Sequence, residues 1–86
     1  MEVYLTVIDL ELKDGGAVSR YTVFDTEKEA KKFVNRVYTE DLKRGYKHLS
    51  GSPESGKCCV EDIHLNRISY NIYKKPVFKN QEGVLI

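Results

Sequence analysis

One amphipathic stretch constrains the fold of this chain more than any other feature. From Thr26 onward, apolar residues recur at three- and four-residue steps, which is the spacing of one face of a helix. These residues are Ala30, Phe33, Val34, Val37, Tyr38, Leu42 and Tyr46. Thr26 and Glu29 fit a capping box, and Gly45 stands where a left-handed residue ends a helix. The sequence therefore predicts a single helix over about residues 26–44, whose apolar face must be buried against a sheet.

The first part of the chain predicts a hairpin of two strands. Residues 3–12 alternate between apolar and polar side chains, but the apolar phase shifts partway along, from Val3, Leu5 and Val7 to Ile8, Leu10 and Leu12. Such a shift indicates a bulge or a strand with two partly buried faces. Lys13-Asp14-Gly15-Gly16 is typical of a hairpin turn, because glycine accepts positive φ. Residues 17–24 then form the returning strand.

The segment after the helix is less regular. Residues 48–57 are rich in Gly, Ser and Pro, which predicts a flexible loop. Strands are expected over 58–65 and 68–75, ending before Pro76 because proline removes a ladder donor. Asn66-Arg67 is a poor two-residue turn, because it lacks glycine, so one long strand with a bulge at Asn66 is the rival interpretation. The segment 77–86 is expected to be a short tail after a single domain, residues 1–76.

These elements predict an α+β fold. We expect a ββαβ(β) antiparallel sheet of three to four strands, with one amphipathic helix packed on one face. The opposite face must meet water or a partner. Alternation assigns the following residues to the helix side: Val3, Leu5, Val7, Tyr21, Val23, Ile63, Leu65, Tyr70 and Ile72. It assigns these to the open side: Tyr4, Thr6, Arg20, Thr22, His64, Asn71 and Tyr73.

No motif in the sequence predicts catalysis, a metal or a cofactor. Residues 51–57 match the glycine and lysine spacing of a phosphate-binding loop, but they follow a helix and precede a strand, which is the reverse of the order that such a loop needs. Cys58 and Cys59 are adjacent, so on a strand they point to opposite faces and ligate one metal poorly. We expect Cys59 in the core and Cys58 at a loop edge. No residue is assigned a catalytic role, and the chain is expected not to be an enzyme.

Charge and tyrosine content suggest two binding surfaces. Residues 1–27 are mainly acidic and residues 28–75 mainly basic, although the net charge is only +1. The basic side chains of interest are Lys28, Lys31, Lys32, Arg36, Lys43, Arg44 and Lys75. They form either a solvated helix face, which we favour, or a surface for nucleic-acid phosphates. Tyr4, Arg20 and Tyr73 are predicted together on the open sheet face, where exposed tyrosines anchor protein interfaces or stack on bases.

The chain resembles, in overall style, the small accessory and anti-host proteins that bacteriophages encode. It has one compact α+β domain, many Lys, Asp, Glu and Tyr, few Cys, no Trp and no catalytic motif. The resemblance implies an inhibitor that binds and blocks a host enzyme, a defence nuclease, a toxin or a transcription factor. The expected function is therefore a non-enzymatic protein-binding module, with RNA or single-stranded nucleic-acid binding as the alternative.

Location and assembly follow from weaker features of the sequence. A homodimer would cover the open face or an exposed strand edge. The absence of an apolar run long enough to span a membrane and of a basic leader at Met1, together with the unpaired cysteines, predicts a cytoplasmic protein without a membrane partner.

Overall fold

The computed structural model describes residues 2–76, which form an antiparallel sheet with one helix on one of its faces. The elements are β1 (Glu2–Glu11), β2 (Ala17–Phe24), α1 (Glu27–Lys43), β3 (Lys47–Ser52), a short 3-10 turn (Pro53–Ser55), β4 (Lys57–Glu61) and β5 (Arg67–Pro76). The sheet has five strands in the order β2-β1-β5-β4-β3. The α+β class is confirmed, whereas the expected count of three to four strands is too low. The predicted tail, 77–86, lies outside the described residues.

The helix forms where the local signals place it. The Thr26 hydroxyl accepts a hydrogen bond from the Glu29 amide at 3.2 Å, and Glu27 and Glu29 lie in the first turn, where the helix dipole favours acidic groups. Gly45 has a φ of +105° and its amide donates to the Leu42 carbonyl at 3.2 Å. Because both ends are set by neighbouring residues, the predicted bounds agree with the observed ones within about a residue.

The segment predicted as a flexible loop contains β3, an edge strand. Lys47–Ser52 pairs antiparallel with β4, with a bulge between His48 and Ser50. The pairing brings backbones so close that a Cβ on Gly51 would lie 2.1 Å from the Lys57 carbonyl oxygen. This glycine therefore serves strand pairing. The prediction was wrong because the partner strand, and not local propensity, gives this polar segment its extended form.

The segment after β3 forms a hairpin of two strands and not one long strand with a bulge. β4 ends at Glu61 and residues 62–66 form a turn, in which the Asp62 carboxylate accepts hydrogen bonds from the backbone amides of His64 and Asn66, each at 2.9 Å. Ile63, which is 80% exposed, and Leu65 lie in this turn and do not belong to the core. Their expected places on the helix side, and that of His64 on the open side, are corrected because the strand ends before them.

The faces of β1 and β2 are the reverse of those predicted. The predicted open-side residues Tyr4, Thr6, Arg20 and Thr22 face the helix, whereas the predicted helix-side residues Val3, Leu5, Val7, Tyr21 and Val23 face away from it. All four residues from Leu5 to Ile8 are buried, although they alternate between the two faces of β1. Since none of the four is charged, alternation does not show which face meets the helix. In β5 the predicted faces are confirmed for Tyr70 and Ile72 on the helix side and for Tyr73 on the open side.

The core lies between α1 and the central strands. Its buried members are Ile8, Val34, Cys58, Val60, Ile68 and Tyr70. The Tyr70 hydroxyl donates to the carboxylate of Asp41, which joins the end of α1 to β5. Cys58 is the core cysteine, and Cys59 is half-buried on the open face, where the Ser69 hydroxyl contacts its Sγ at 3.8 Å. The expected places of the two cysteines were wrong, because Cys58 pairs with Tyr70 on the helix side and Cys59 pairs with Ser69 on the open face.

Candidate functional site

A cluster of apolar side chains lies on the sheet face opposite the helix. We call it the open-face patch, and it consists of Tyr21, Val23 and Tyr73 around Leu5 and Val7. Tyr21 is 66% exposed, and Val23 and Tyr73 are each 42% exposed, whereas Leu5 and Val7 are buried beneath them. Leu5 pairs across the strands with both Val23 and Tyr73, and Val7 pairs with Tyr21. The five side chains are thus one contiguous surface.

The position of the open-face patch explains why it remains exposed. The single helix covers the other face, so nothing in residues 2–76 packs over β2, β1 and β5 here. With strands about 4.8 Å apart, three strands give the patch a width of about 10 Å before side chains are added. The Lys75 ammonium lies 5.7 Å from the centre of the Tyr73 ring and borders the patch. A contiguous exposed apolar surface with a polar border is typical of an interaction site.

The structure separates the three residues predicted for the interface. Tyr73 lies in the open-face patch, as predicted. Tyr4 lies on the helix side near Lys31 and Lys74, and Arg20 lies on the helix side near Asp41. Tyr21 and Val23 belong to the open-face patch but were predicted on the helix side. Their shared face with Leu5 and Val7 was predicted and is confirmed, but the register of β1 and β2 does not show whether that face meets the helix.

Three of the predicted basic residues line a groove between α1 and β2. This α1–β2 groove has a volume of about 640 Å³. Its lining includes Phe24 and Phe33, the cations Lys32, Arg36 and Lys43, and the carboxylates Glu29 and Glu40. The two phenylalanine rings are 5.2 Å apart, and the Arg36 guanidinium lies 5.6 Å from the Phe33 ring centre. The groove therefore combines an aromatic wall with exposed charged side chains, of which more are basic than acidic.

The other predicted basic residues do not join this groove into one large surface. Lys31 pairs with Glu27 at 3.6 Å, and Lys28 lies outside the groove lining. Arg44 contacts Asp41 at 3.9 Å, in the adjoining cleft beside Arg20. Lys75 lies on the opposite face of the sheet. The basic set is therefore divided among separate places.

The pKa shifts of two titratable groups follow from their surroundings. Burial raises the pKa of the Cys58 thiol, which keeps it protonated and weakly nucleophilic. At Asp62, desolvation would raise the pKa, but the hydrogen bonds from Asn66 and His64 outweigh it and the pKa is lowered. Within residues 2–76, no group of three or more His, Cys, Asp or Glu side chains is placed to hold a metal ion.

Comparison with known proteins gives no relative: no family model, curated protein or solved structure matches the chain. No helix in the described part of the chain is long and apolar enough to cross a membrane. The open-face patch and the α1–β2 groove are therefore the features from which a function is inferred.

Proposed function

We propose that this chain is a small non-enzymatic protein-binding module and that its partner contacts the open-face patch. The observation that carries the proposal is the exposure of Tyr21, Val23 and Tyr73 around two buried aliphatic side chains. Tyrosine is enriched among the residues that dominate protein interfaces, because its ring gives a large contact area and its hydroxyl a hydrogen bond. Covering these side chains removes apolar surface from water, which favours association.

The charges of the open face support a protein partner over a nucleic acid. Its acidic residues are Asp9, Glu11 and Glu61, and its basic residues are Lys47, Lys57, Arg67 and Lys75. Arg67 and Glu61 also pair with each other at 2.9 Å. A surface that binds phosphates needs a clear excess of cations, because affinity for nucleic acid depends on phosphate neutralisation. The near balance of charge favours a partner with mixed charges of its own.

The mode of action that we propose is inhibition by occlusion. The resemblance to phage accessory proteins implies a host enzyme, a defence nuclease, a toxin or a transcription factor as the partner. A rigid sheet face suits such a role because its strands hold the contact side chains in place before binding, which lowers the ordering cost. No catalytic step is part of this function.

Affinity capture tests the proposal. Wild-type protein, Tyr73→Glu and a control, Lys28→Glu, are each exposed to bacterial lysate with and without nuclease. Tyr73→Glu places a carboxylate in the open-face patch, whereas Lys28 lies on the helix outside the groove lining. We expect wild type and the control to retain a stoichiometric protein that resists nuclease, and Tyr73→Glu to lose it. Capture of no protein, or capture unaffected by Tyr73→Glu, would contradict the proposal.

The α1–β2 groove favours one second candidate function, the binding of single-stranded nucleic acid. Lys32, Arg36 and Lys43 could contact phosphates while a base packs near the phenylalanine wall. This function requires that an oligonucleotide binds in low salt, weakens steeply as salt rises and is lost in Arg36→Glu. Tyr73→Glu should leave that binding unchanged, which separates the two functions.

A further inference from the structure

Strand β2 presents a free backbone edge. It is the first strand in the sheet order, and within residues 2–76 only β1 pairs with it. Two hydrogen bonds fix which backbone groups face β1: the Leu12 amide donates to the Gly16 carbonyl at 2.8 Å, and the Thr22 carbonyl accepts from the Thr6 hydroxyl at 3.0 Å. Because hydrogen-bonded pairs alternate along an antiparallel ladder, the N–H and C=O groups of the intervening residues point away from the sheet. These residues are Ala17, Ser19, Tyr21 and Val23.

The two edges of the sheet differ in how they discourage further pairing. The other edge strand, β3, carries a bulge between His48 and Ser50 and a left-handed Gly51, both of which disturb the ladder. In β2, the pairing with β1 runs in unbroken register from Ala17 to Phe24. Its sequence also lacks proline and lysine, the residues that commonly protect an edge. The β2 edge is therefore the one suited to accept another strand.

Both sides of the β2 edge carry side chains that could recognise an added strand. On the open face lie the exposed Tyr21 and Val23. On the helix face lie Arg20 and the mouth of the α1–β2 groove, whose lining has three cations, Lys32, Arg36 and Lys43, against two carboxylates, Glu29 and Glu40. Side chains of a strand alternate between the two faces. One set of side chains from an added strand would therefore meet apolar groups, and the other set would meet a surface on which cations outnumber carboxylates.

We propose that β2 accepts an extended segment of a partner protein as a sixth strand, and that this segment alternates apolar with acidic side chains. The apolar residues lie beside Tyr21 and Val23, and the acidic residues lie on the side of Lys32 and Arg36. Backbone hydrogen bonds supply affinity and the alternating side chains supply selectivity, as in other cases of strand addition. This inference rests on the protein-binding function proposed above and adds the chemistry of the partner.

Charge favours such a segment over a second copy of the chain. Antiparallel pairing of two β2 strands would place both Arg20 side chains on the same side of the joined sheet. The same pairing would bring together the two helix flanks, on which Lys32, Arg36 and Lys43 outnumber Glu29 and Glu40. Like charges on neighbouring strands destabilise pairing. An acidic segment meets the same cations with the opposite sign.

Selection from a displayed library of random peptides on the wild-type protein tests the proposal. We expect enriched peptides to alternate apolar and acidic residues. In the bound protein, amide exchange should slow at Ala17, Ser19, Tyr21 and Val23. Fluorescence polarisation should show about ten-fold weaker peptide binding by Ser19→Pro, which removes an outward N–H, and an unchanged affinity for the control Ser19→Ala. The control accounts for the hydrogen bond from the Ser19 hydroxyl to Asp9.

The proposal would be overturned by no enriched peptide, by enriched peptides without the alternation, or by bound peptides that leave the four amides unprotected. The exchange measurement uses wild-type protein, so it decides the matter even if Ser19→Pro does not fold. A dimer by light scattering that Ser19→Pro dissociates would identify a second copy as the occupant and also overturn it.

The proposed function can fail independently, because Tyr73 lies on β5, two strands from the edge. If capture of a partner depends on Tyr73 and not on Ser19→Pro, strand addition is wrong and the protein-binding patch stands. If peptides add to β2 while Tyr73→Glu leaves capture unchanged, the patch as the partner's contact surface is wrong and strand addition stands.

Discussion

Replacing Tyr70 with phenylalanine should destabilise the fold by an amount that the structure sets. Tyr70 is 1% exposed, and its hydroxyl donates to Oδ2 of the buried Asp41 carboxylate. Arg44 also contacts that carboxylate: its guanidinium lies 3.9 Å from Oδ1, and its side chain is 72% exposed. Tyr70→Phe removes one oxygen and leaves Oδ2 buried without its donor.

The magnitude follows from the charge of the acceptor. A hydrogen bond to a charged group contributes about 1.5–3 kcal/mol, and the loss is felt in full when the remaining partner stays buried. The ring itself is retained, so the large cavity cost of a truncated side chain does not arise. We expect the free energy of unfolding to fall by about 2 kcal/mol, from a total of about 4–13 kcal/mol for a domain of this size. The melting temperature should fall by about 10 °C.

Urea denaturation of four variants measures this effect. Tyr21→Phe is the control for loss of a hydroxyl, because Tyr21 is exposed on the open face, and it should change stability by less than about 0.5 kcal/mol. Asp41→Leu and the double variant complete a cycle, in which we expect a coupling of at least about 1 kcal/mol between Tyr70 and Asp41. A loss below about 0.5 kcal/mol in Tyr70→Phe, or additive effects in the cycle, would refute the reasoning.

Three further predictions concern pH, thiol reactivity and backbone geometry. Burial and the hydrogen bond to Asp41 raise the pKa of Tyr70 above its ordinary value of 10.0, so the unfolded chain loses this proton first, and stability should be intact below that pH and decline above it. Urea midpoints across this range should fall less steeply in Tyr70→Phe. Iodoacetamide should modify the half-buried Cys59 before the buried Cys58, as peptide mass spectrometry can show; faster labelling of Cys58 would contradict the assigned faces of β4. Gly51→Ala should destabilise the fold by more than about 2 kcal/mol, because its Cβ would lie 2.1 Å from the Lys57 carbonyl oxygen. Gly45→Ala has open space around its Cβ and should cost about 1 kcal/mol, from its left-handed backbone alone. Thermal denaturation measures both losses, and equal losses would contradict the close approach at Gly51.

The parts of the fold that sequence predicts well are those fixed by neighbouring residues. The cap at Thr26 and the left-handed Gly45 set the ends of α1, and Gly15-Gly16 set the first hairpin. β3 was not predicted, because its extended form depends on pairing with β4, a contact that the local sequence does not encode. The same limit explains why the sequence does not decide between a hairpin and one bulged strand around Asn66. The turn depends on hydrogen bonds to the Asp62 carboxylate, which the local pattern does not predict.

The sequence predicts that the sheet has an open face, but it predicts only part of the residues that lie there. One helix over a sheet implies an open face, and Tyr73 was placed on it correctly. Tyr4 and Arg20 were placed wrongly because the four buried residues of β1 are apolar or uncharged on both faces, so nothing in the pattern selects the side that meets α1. That choice depends on packing of Ile8 with Tyr70 and Val34, which are distant in sequence.

The most direct test of the central proposal, that the open-face patch is the binding surface, is a titration of isotope-labelled protein with the captured partner, followed by NMR of side-chain signals. We predict that the largest chemical-shift changes occur at Tyr21, Val23 and Tyr73. The signals of Lys28 and Lys31, which lie on the helix and not on the open face, should keep the chemical shifts of the unbound protein. Changes confined to Lys32, Arg36 and Lys43, with the open-face signals unmoved, would contradict it.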